Sequence, residues 1–147
     1  IGSPAFYYYG EGEKKKLVHS SGTVHIYEGA TIHTNVTIQK GVIGGETKIG
    51  RFSSIDNCIM VGHDTWIGEG VIAAANITFG GWSEVKDNTF VGVQSCLAPK
   101  VVVGKNCKIS MGAVVTKDVP DNSQVSGNFA IDHKIYIEHL KSILNAK

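Results

Sequence analysis

An apolar residue recurs at every sixth position along most of this chain. Starting from Ile43, thirteen successive positions spaced by six are all apolar, and the residue after each is usually Gly, Ala or Ser. A period of six matches neither the 3.6-residue repeat of a helix nor the two-residue repeat of a strand. We therefore predict short strands joined by sharp bends and stacked as a solenoid, with the recurring side chain facing inward. The series consists of Ile43, Ile49, Ile55, Val61, Ile67, Ala73, Phe79, Val85, Val91, Leu97, Val103, Ile109 and Val115.

The same period continues upstream of this series. Ile26, Ile32 and Ile38 are also spaced by six, but they are one residue out of phase with Ile43. This phase shift predicts a single missing residue between Ile38 and Ile43. The chain is also rich in Ile and Val and poor in Leu, a bias toward β-branched residues that favours strands.

The limits of the repeat divide the chain into three parts. Residues 1–23 are an entry segment with an aperiodic loop, which is either an exposed hairpin or a segment that contacts substrate or a neighbouring subunit. Residues 24–120 form the β-helix. Residues 121–147 form a turn and a C-terminal helix, whose apolar spacing over 131–145 predicts packing on the last coil or on neighbouring subunits.

Composition excludes several classes of protein. The net charge of +1 shows no basic excess for nucleic acid, and no apolar run is long enough to span a membrane. The three cysteines include no C-x-x-C pair, so they read as reduced thiols. We therefore expect a cytoplasmic protein.

His63 is the candidate with the clearest chemistry. Counting eighteen residues in each direction places Gly45 and Gly81 in the coils below and above it, so we expect an open groove lined by backbone N–H groups. An imidazole can take a proton near neutral pH, and backbone N–H groups can stabilise an oxyanion. Asp64 or Asp56 would orient the imidazole, although both also fit as turn residues. The alternative for His63 is a bend histidine beside glycines that serve only the turn.

The residues around His63 carry a resemblance to a known family. The run IDNCIMVGHDTWIG at residues 55–68 resembles the active-site coil of bacterial UDP-3-O-acylglucosamine N-acyltransferases of lipid A synthesis, and the match continues to Gly81. The pair His63-Asp64 also resembles the related O-acyltransferases. The resemblance implies an all-β fold, a left-handed parallel β-helix of hexapeptide repeats with a C-terminal α-helix, assembled as a homotrimer. It also implies that His63 is the general base and that the Gly81 N–H forms the oxyanion hole.

Two departures from that family concern the donor. Lys100 stands where the family has a second active-site histidine. The closing segments, Val119-Pro120 and residues 127–130, resemble those of small sugar acetyltransferases that use acetyl-CoA. The candidate substrate-binding residues are Asn57, Asn76, Trp82 and Lys100.

The resemblance implies transfer of an acyl group from a thioester, on acyl carrier protein or CoA, to the amine of a nucleotide-linked amino sugar. The thioester is a substrate, and we expect neither a metal nor a permanently bound cofactor. Three alternative functions compete with this one. The first is an acetyl-CoA-dependent sugar O- or N-acetyltransferase of surface polysaccharide synthesis, and the second is a non-catalytic trimerising domain. The third is a γ-type carbonic anhydrase, which is disfavoured because no two histidines are five residues apart.

Overall fold

The computed structural model describes residues 1–128 and 130–145, and most of them form a solenoid of parallel strands. Its coils contribute short strands to three parallel sheets, numbered here in the order in which the chain enters them. Sheet 1 contains Thr23–Ile26, Glu46–Ile49, Trp66–Ile67, Glu84–Val85 and Val102–Val103. Sheet 2 contains Thr31–Ile32, Ser54–Ile55, Ile72–Ala73, Phe90–Val91, Lys108–Ile109 and Gln124–Val125. Sheet 3 contains Thr37–Ile38, Met60–Val61, Thr78–Phe79, Cys96–Leu97 and Val114–Val115.

Successive coils stack with a spacing of eighteen residues over most of the solenoid. Ile49 pairs with Ile67 in sheet 1, and Phe79 pairs with Leu97 in sheet 3. From Ile49 to Val115, every member of the six-residue series is buried. Removing these side chains from water stabilises strands that are only two residues long. The predicted solenoid is therefore confirmed over this range, with the recurring residue facing inward.

The register changes upstream of Ile49, and here the sequence prediction is wrong. Ile38 pairs with Val61, twenty-three residues further on, which is five more than the spacing of eighteen in the middle coils. The chain therefore contains a five-residue insertion between Ile38 and Ile49, not a missing residue. Ile43, taken as the first inward residue of the series, lies in this insertion and is 78% exposed.

Glycines explain how the insertion fits between the coils. Gly41 and Gly45 pack backbone against backbone, so closely that a β-carbon on Gly41 would overlap the Gly45 carbonyl. The buried side chains of this stretch are Val42 and Thr47. Because Ile43 is followed by Gly44, the insertion has the same aliphatic-small pattern as a true hexad. The Ile43 side chain nevertheless faces solvent.

The bend after sheet 3 places one residue of each successive coil in a column. Asp64, Trp82 and Lys100 follow one another at the coil spacing, and all three have a left-handed backbone, with φ of 56°, 59° and 67°. Asp tolerates this conformation, but it is unfavourable for Trp and Lys. Their surroundings must therefore hold them there, as they do for Phe52, Cys58 and Gln94 at other bends of the solenoid.

The aperiodic loop of the entry segment is a hairpin. Tyr8–Tyr9 pairs antiparallel with Lys16–Leu17, and a short 3-10 helix at Gly12–Lys14 closes the turn. Before the hairpin, Ser3 forms a parallel bridge with Gln39 at the edge of sheet 3. The base of the hairpin is thus anchored one coil below the bend that holds His63.

The C-terminal helix, α1, spans His133–Asn145 and begins two residues later than predicted. Asp132 caps it by accepting a hydrogen bond from the Lys134 N–H (3.0 Å). None of its residues is buried, so the helix does not pack on the last coil, and packing on neighbouring subunits stays a prediction. Phe129, Ala146 and Lys147, which belong to the predicted C-terminal segment, lie outside the described residues. No described helix is long and apolar enough to cross a membrane.

Candidate active site

His63 opens the bend after sheet 3, and two hydrogen bonds hold it. Its backbone N–H donates to Gln39 Oε1 in the coil below (3.2 Å), and its ring Nδ1 lies 2.9 Å from Asp64 Oδ2. A carboxylate can only accept a hydrogen bond, so Nδ1 is the donor in this pair, and a neutral imidazole would have its lone pair on Nε2. That arrangement is the one a general base requires.

Asp64 is itself tightly held. Its Oδ2 accepts a second hydrogen bond from the Val42 N–H (3.0 Å), and its own N–H donates to Thr47 Oγ1 (2.8 Å). Its side chain is 11% exposed. The carboxylate therefore has a fixed position from which it orients the His63 ring.

Gly81 lies against the other edge of the His63 imidazole. A β-carbon at this position would lie 2.7 Å from Nε2 and 2.8 Å from Cε1, so only glycine leaves room for the ring. The Gly81 carbonyl accepts from the Lys100 N–H (3.0 Å), whereas its N–H has no acceptor within residues 1–128 and 130–145. Gly81, which packs against His63 Nε2, therefore also has a backbone N–H with no acceptor among the described residues.

The glycine predicted on the opposite side of His63 is displaced by the insertion. Gly45 lies against Asp64, where a β-carbon would overlap Oδ1, and the residue that contacts His63 from below is Gln39. The cause is the spacing of twenty-three residues, which moves Gly45 along the bend. The open groove expected beside His63 is also absent from the described chain, because His63 is only 7% exposed.

Two aromatic rings cover the imidazole. The Trp82 ring lies edge-to-face with His63, with centroids 4.2 Å apart, and the Tyr7 ring lies 5.9 Å from His63 and 5.6 Å from Trp82. Sequence analysis found Trp82 as a substrate-binding candidate but missed Tyr7. The only signal for Tyr7 was its place in a run of three tyrosines within an aperiodic loop.

Lys100 completes the column that begins with Asp64 and Trp82. Its Nζ lies 5.8 Å from the centre of the Trp82 ring, a distance typical of cation–π contacts. The structure therefore brings five of the candidate residues into one cluster: His63, Asp64, Gly81, Trp82 and Lys100.

The remaining candidates lie at a different bend, the one after sheet 2. Asp56 Oδ1 accepts from the backbone N–H of Asn57 (2.7 Å) and from its side-chain amide (2.9 Å). The Asn76 N–H donates to the Asn57 carbonyl (3.0 Å) in the coil below. The carboxylate that orients His63 within the chain is therefore Asp64, and the alternative that Asp56 does so is wrong. Asp56 instead lines a cavity of about 320 Å³ together with His33.

Two further features bear on the chemistry of the chain. In the part of the chain that the structure describes, no three His, Cys, Asp or Glu side chains come together to hold a metal ion. A cavity of about 290 Å³ lined by residues 113–119 and 125–128 lies at the carboxyl-terminal end of the solenoid, away from His63. The cluster at His63 combines an imidazole, a carboxylate bound to it and a backbone N–H, the kinds of group that acyl transfer uses.

Comparison with known proteins places this fold in a family. A family model described as the GLGC left-handed parallel beta-helix domain matches residues 15–146. The chain therefore belongs to the left-handed parallel β-helix family, which confirms the predicted fold class and the hand of the coil.

The most similar relatives include enzymes named as acyltransferases. The chain is 32% identical over 106 residues to a UDP-3-O-acylglucosamine N-acyltransferase of Caulobacter sp., a match that covers 72% of this chain and 31% of the relative. It is 27% identical over 140 residues to the acyl-[acyl-carrier-protein]–UDP-N-acetylglucosamine O-acyltransferase of Burkholderia orbicola, covering 95% and 51%. These matches confirm the resemblance found from the sequence.

A solved structure supports the same comparison. The structure of Arabidopsis UDP-N-acetylglucosamine acyltransferase matches with a TM-score of 0.70 and 28% identity, and covers 71% of this chain and 37% of that one. The chain spans between about a third and a half of the length of these proteins.

Proposed function

We propose that the protein is an acyltransferase that moves an acyl group from a thioester, on acyl carrier protein or CoA, to the amine of a nucleotide-linked amino sugar. The observation that carries this proposal is the position of the His63 ring, whose Nδ1 lies 2.9 Å from Asp64 Oδ2 while Nε2 lies against Gly81. The names of the relatives supply the substrate class, because they act on UDP-linked glucosamines. The pathway would be lipid A or surface polysaccharide synthesis in the cytoplasm.

In the proposed reaction, His63, Gly81 and Asp64 each have a separate role. His63 Nε2 takes a proton from the amine as its nitrogen attacks the thioester carbon and forms the new C–N bond. The carbonyl oxygen becomes an oxyanion, which accepts a hydrogen bond from the Gly81 N–H. The intermediate then collapses, the C–S bond breaks, and the imidazolium returns its proton to the departing thiolate. Asp64 stabilises the imidazolium between these two proton transfers.

The proposal includes assembly as a homotrimer. Asn57 and Asn76 lie at a different bend from His63, so they can bind the same substrate only if a neighbouring subunit presents that bend to His63. The groove between two subunits would then hold the donor and the acceptor sugar. Trp82 and Lys100 would line it from the side of His63.

The test is thioester turnover by the full-length protein with a panel of nucleotide-linked amino sugars. We expect His63→Ala to lower the rate by about 10²–10⁴-fold, the usual contribution of a general base. His25→Ala is the matched control, because His25 is an exposed histidine within the sheet 1 strand Thr23–Ile26 and lies at neither of the two bends. Full turnover in His63→Ala would refute the base. An intact trimer that turns over no donor would favour the trimerising-domain alternative.

A further inference from the structure

We propose that Trp82, together with Tyr7, restricts the donor to a short acyl group such as acetyl. The inference rests on the proposed acyl transfer, and it specifies the donor for that same site. It follows from how completely the two rings close the space around His63.

The exposed fractions of the His63, Tyr7 and Trp82 side chains show how the imidazole is covered. His63 is 7% exposed, whereas Tyr7 and Trp82 are 43% and 40% exposed. The two aromatic side chains therefore form a layer with one face on the imidazole and the other toward solvent. A substrate that reaches Nε2 must pass through or displace this layer.

Trp82 is the fixed part of the layer. Its backbone N–H donates to the His63 carbonyl (2.9 Å), and its ring lies between the His63 imidazole and the Lys100 ammonium. It also directly follows Gly81, whose N–H is the proposed oxyanion donor. An acyl carbon chain that extends from a carbonyl bound at Gly81 therefore meets the indole at once.

Tyr7 is the part that can yield. It precedes the first hairpin strand and is held there by one backbone hydrogen bond, in which its carbonyl accepts from the Val18 N–H (2.8 Å). Its ring meets both His63 and Trp82 at centroid distances above 5 Å. If Tyr7 moves aside, the space released is that of one aromatic ring. That space suits the reacting amine, the thioester carbonyl and a methyl group, but not an extended acyl chain.

The experiment compares donors of increasing length with one acceptor. Acetyl, butyryl, octanoyl and myristoyl thioesters, each on CoA and on acyl carrier protein, would be assayed with the full-length protein. We expect kcat/KM to fall by at least about tenfold from acetyl to octanoyl, since overfilling a closed pocket by even one methylene costs that much. In Trp82→Ala, the ratio of octanoyl to acetyl kcat/KM should rise by at least about tenfold.

Further variants keep the test decisive if Trp82→Ala does not fold. Trp82→Leu and Tyr7→Ala should raise the same ratio by smaller factors. Trp66→Ala and Tyr9→Ala are matched controls, because both residues are exposed aromatics outside the His63 cluster, and they should leave the ratio unchanged. A wild-type protein that uses octanoyl as well as acetyl donors would overturn the inference, as would a Trp82→Ala protein that loses all donors in proportion. Absence of turnover with every donor would instead overturn the proposed function, and this inference with it.

Discussion

The hydrogen bond between Asp64 and His63 decides which ring nitrogen can act as a base. In Asp64→Asn, one side-chain atom still faces both the Val42 N–H and His63 Nδ1, because both of these hydrogen bonds end on Asp64 Oδ2. An amide oxygen at that position keeps both bonds but lacks the negative charge, so it stabilises the imidazolium formed during proton transfer less well. We expect kcat to fall by about 10²–10⁴-fold with little loss of stability. Steady-state kinetics and a thermal melt of the variant would test this.

Asp118→Asn is the control for that experiment. Asp118 is also a bend carboxylate that accepts from a backbone N–H, that of Val102 (2.8 Å), but it lies outside the His63 cluster. Its variant should keep full turnover. If both variants lost activity equally, the effect of Asp64 would be structural and would not come from its charge beside the imidazole.

Gly81 gives a prediction of a different kind, because adding one methyl group should displace the base. In Gly81→Ala, the new β-carbon would lie 2.7 Å from His63 Nε2, so the imidazole must shift. A misplacement of about 1 Å can cost about 10²-fold in rate. Turnover and the free energy of unfolding would be measured together. Gly127→Ala is the control, since no atom of residues 1–128 and 130–145 lies within 4 Å of its added carbon.

At the scale of the strands, the inward series carries the stability of the solenoid. Phe79 is fully buried in sheet 3, so Phe79→Ala should lower the free energy of unfolding by about 3–5 kcal/mol. Phe90 faces outward from sheet 2 and is 39% exposed. Phe90→Ala should therefore cost much less in a denaturant titration. Equal costs would mean that the outward face also lies in a packed interface.

A surface ion pair between coils adds a pH dependence. Lys105 lies 2.9 Å from Asp87, and its hydrogen bond, helped by the Glu69 N–H, lowers the pKa of the Asp87 carboxyl below its usual value of 3.8. Asp87 therefore stabilises the fold above that usual value, and the contribution is lost as the pH falls through the lowered pKa. Because both groups are well exposed, we expect only about 0.5 kcal/mol. Denaturation of wild type and Asp87→Asn from neutral to acid pH should show the difference disappearing at the acid end.

Periodicity predicted most of the strands but could not predict the insertion. A period of six identifies the inward positions only where successive coils have the same number of residues. Ile43-Gly44 fits the sequence pattern, but it lies in the insertion and Ile43 faces solvent. The same spacing placed Gly81 against His63 but misplaced Gly45. Tyr7 could not be predicted at all. It reaches His63 from an aperiodic hairpin fifty-six positions earlier in the chain, and no repeat relates the two.

For the whole molecule, α1 indicates how the proposed trimer could be stabilised. The helix leaves an apolar set exposed in the single chain, which includes Ile135, Leu140, Ile143 and Leu144. Light scattering should give the mass of a trimer for the wild type. Ile135→Asp with Ile143→Asp should lower that mass without changing the β-helix signal in circular dichroism, because neither residue is buried against the coils.

Ser142→Asp is the control for the helix variant. It adds a charge to α1 without removing an apolar side chain. A wild-type protein that stays monomeric at all concentrations would refute the proposed trimer. In that case Asn57 and Asn76 could not share a substrate with His63.

The five-residue insertion has a consequence for how the chain folds. A solenoid of near-equivalent hexads has many alternative threadings, because a coil shifted by six or eighteen residues still presents aliphatic side chains to the interior. The insertion removes that degeneracy at one point. Val42 and Thr47 reach the Asp64 backbone and carboxylate only when the first two coils are matched correctly, since no other coil carries the extra residues. The contacts that orient the His63 ring therefore also favour the native stacking of the coils over arrangements in which a coil is shifted by one or more repeats.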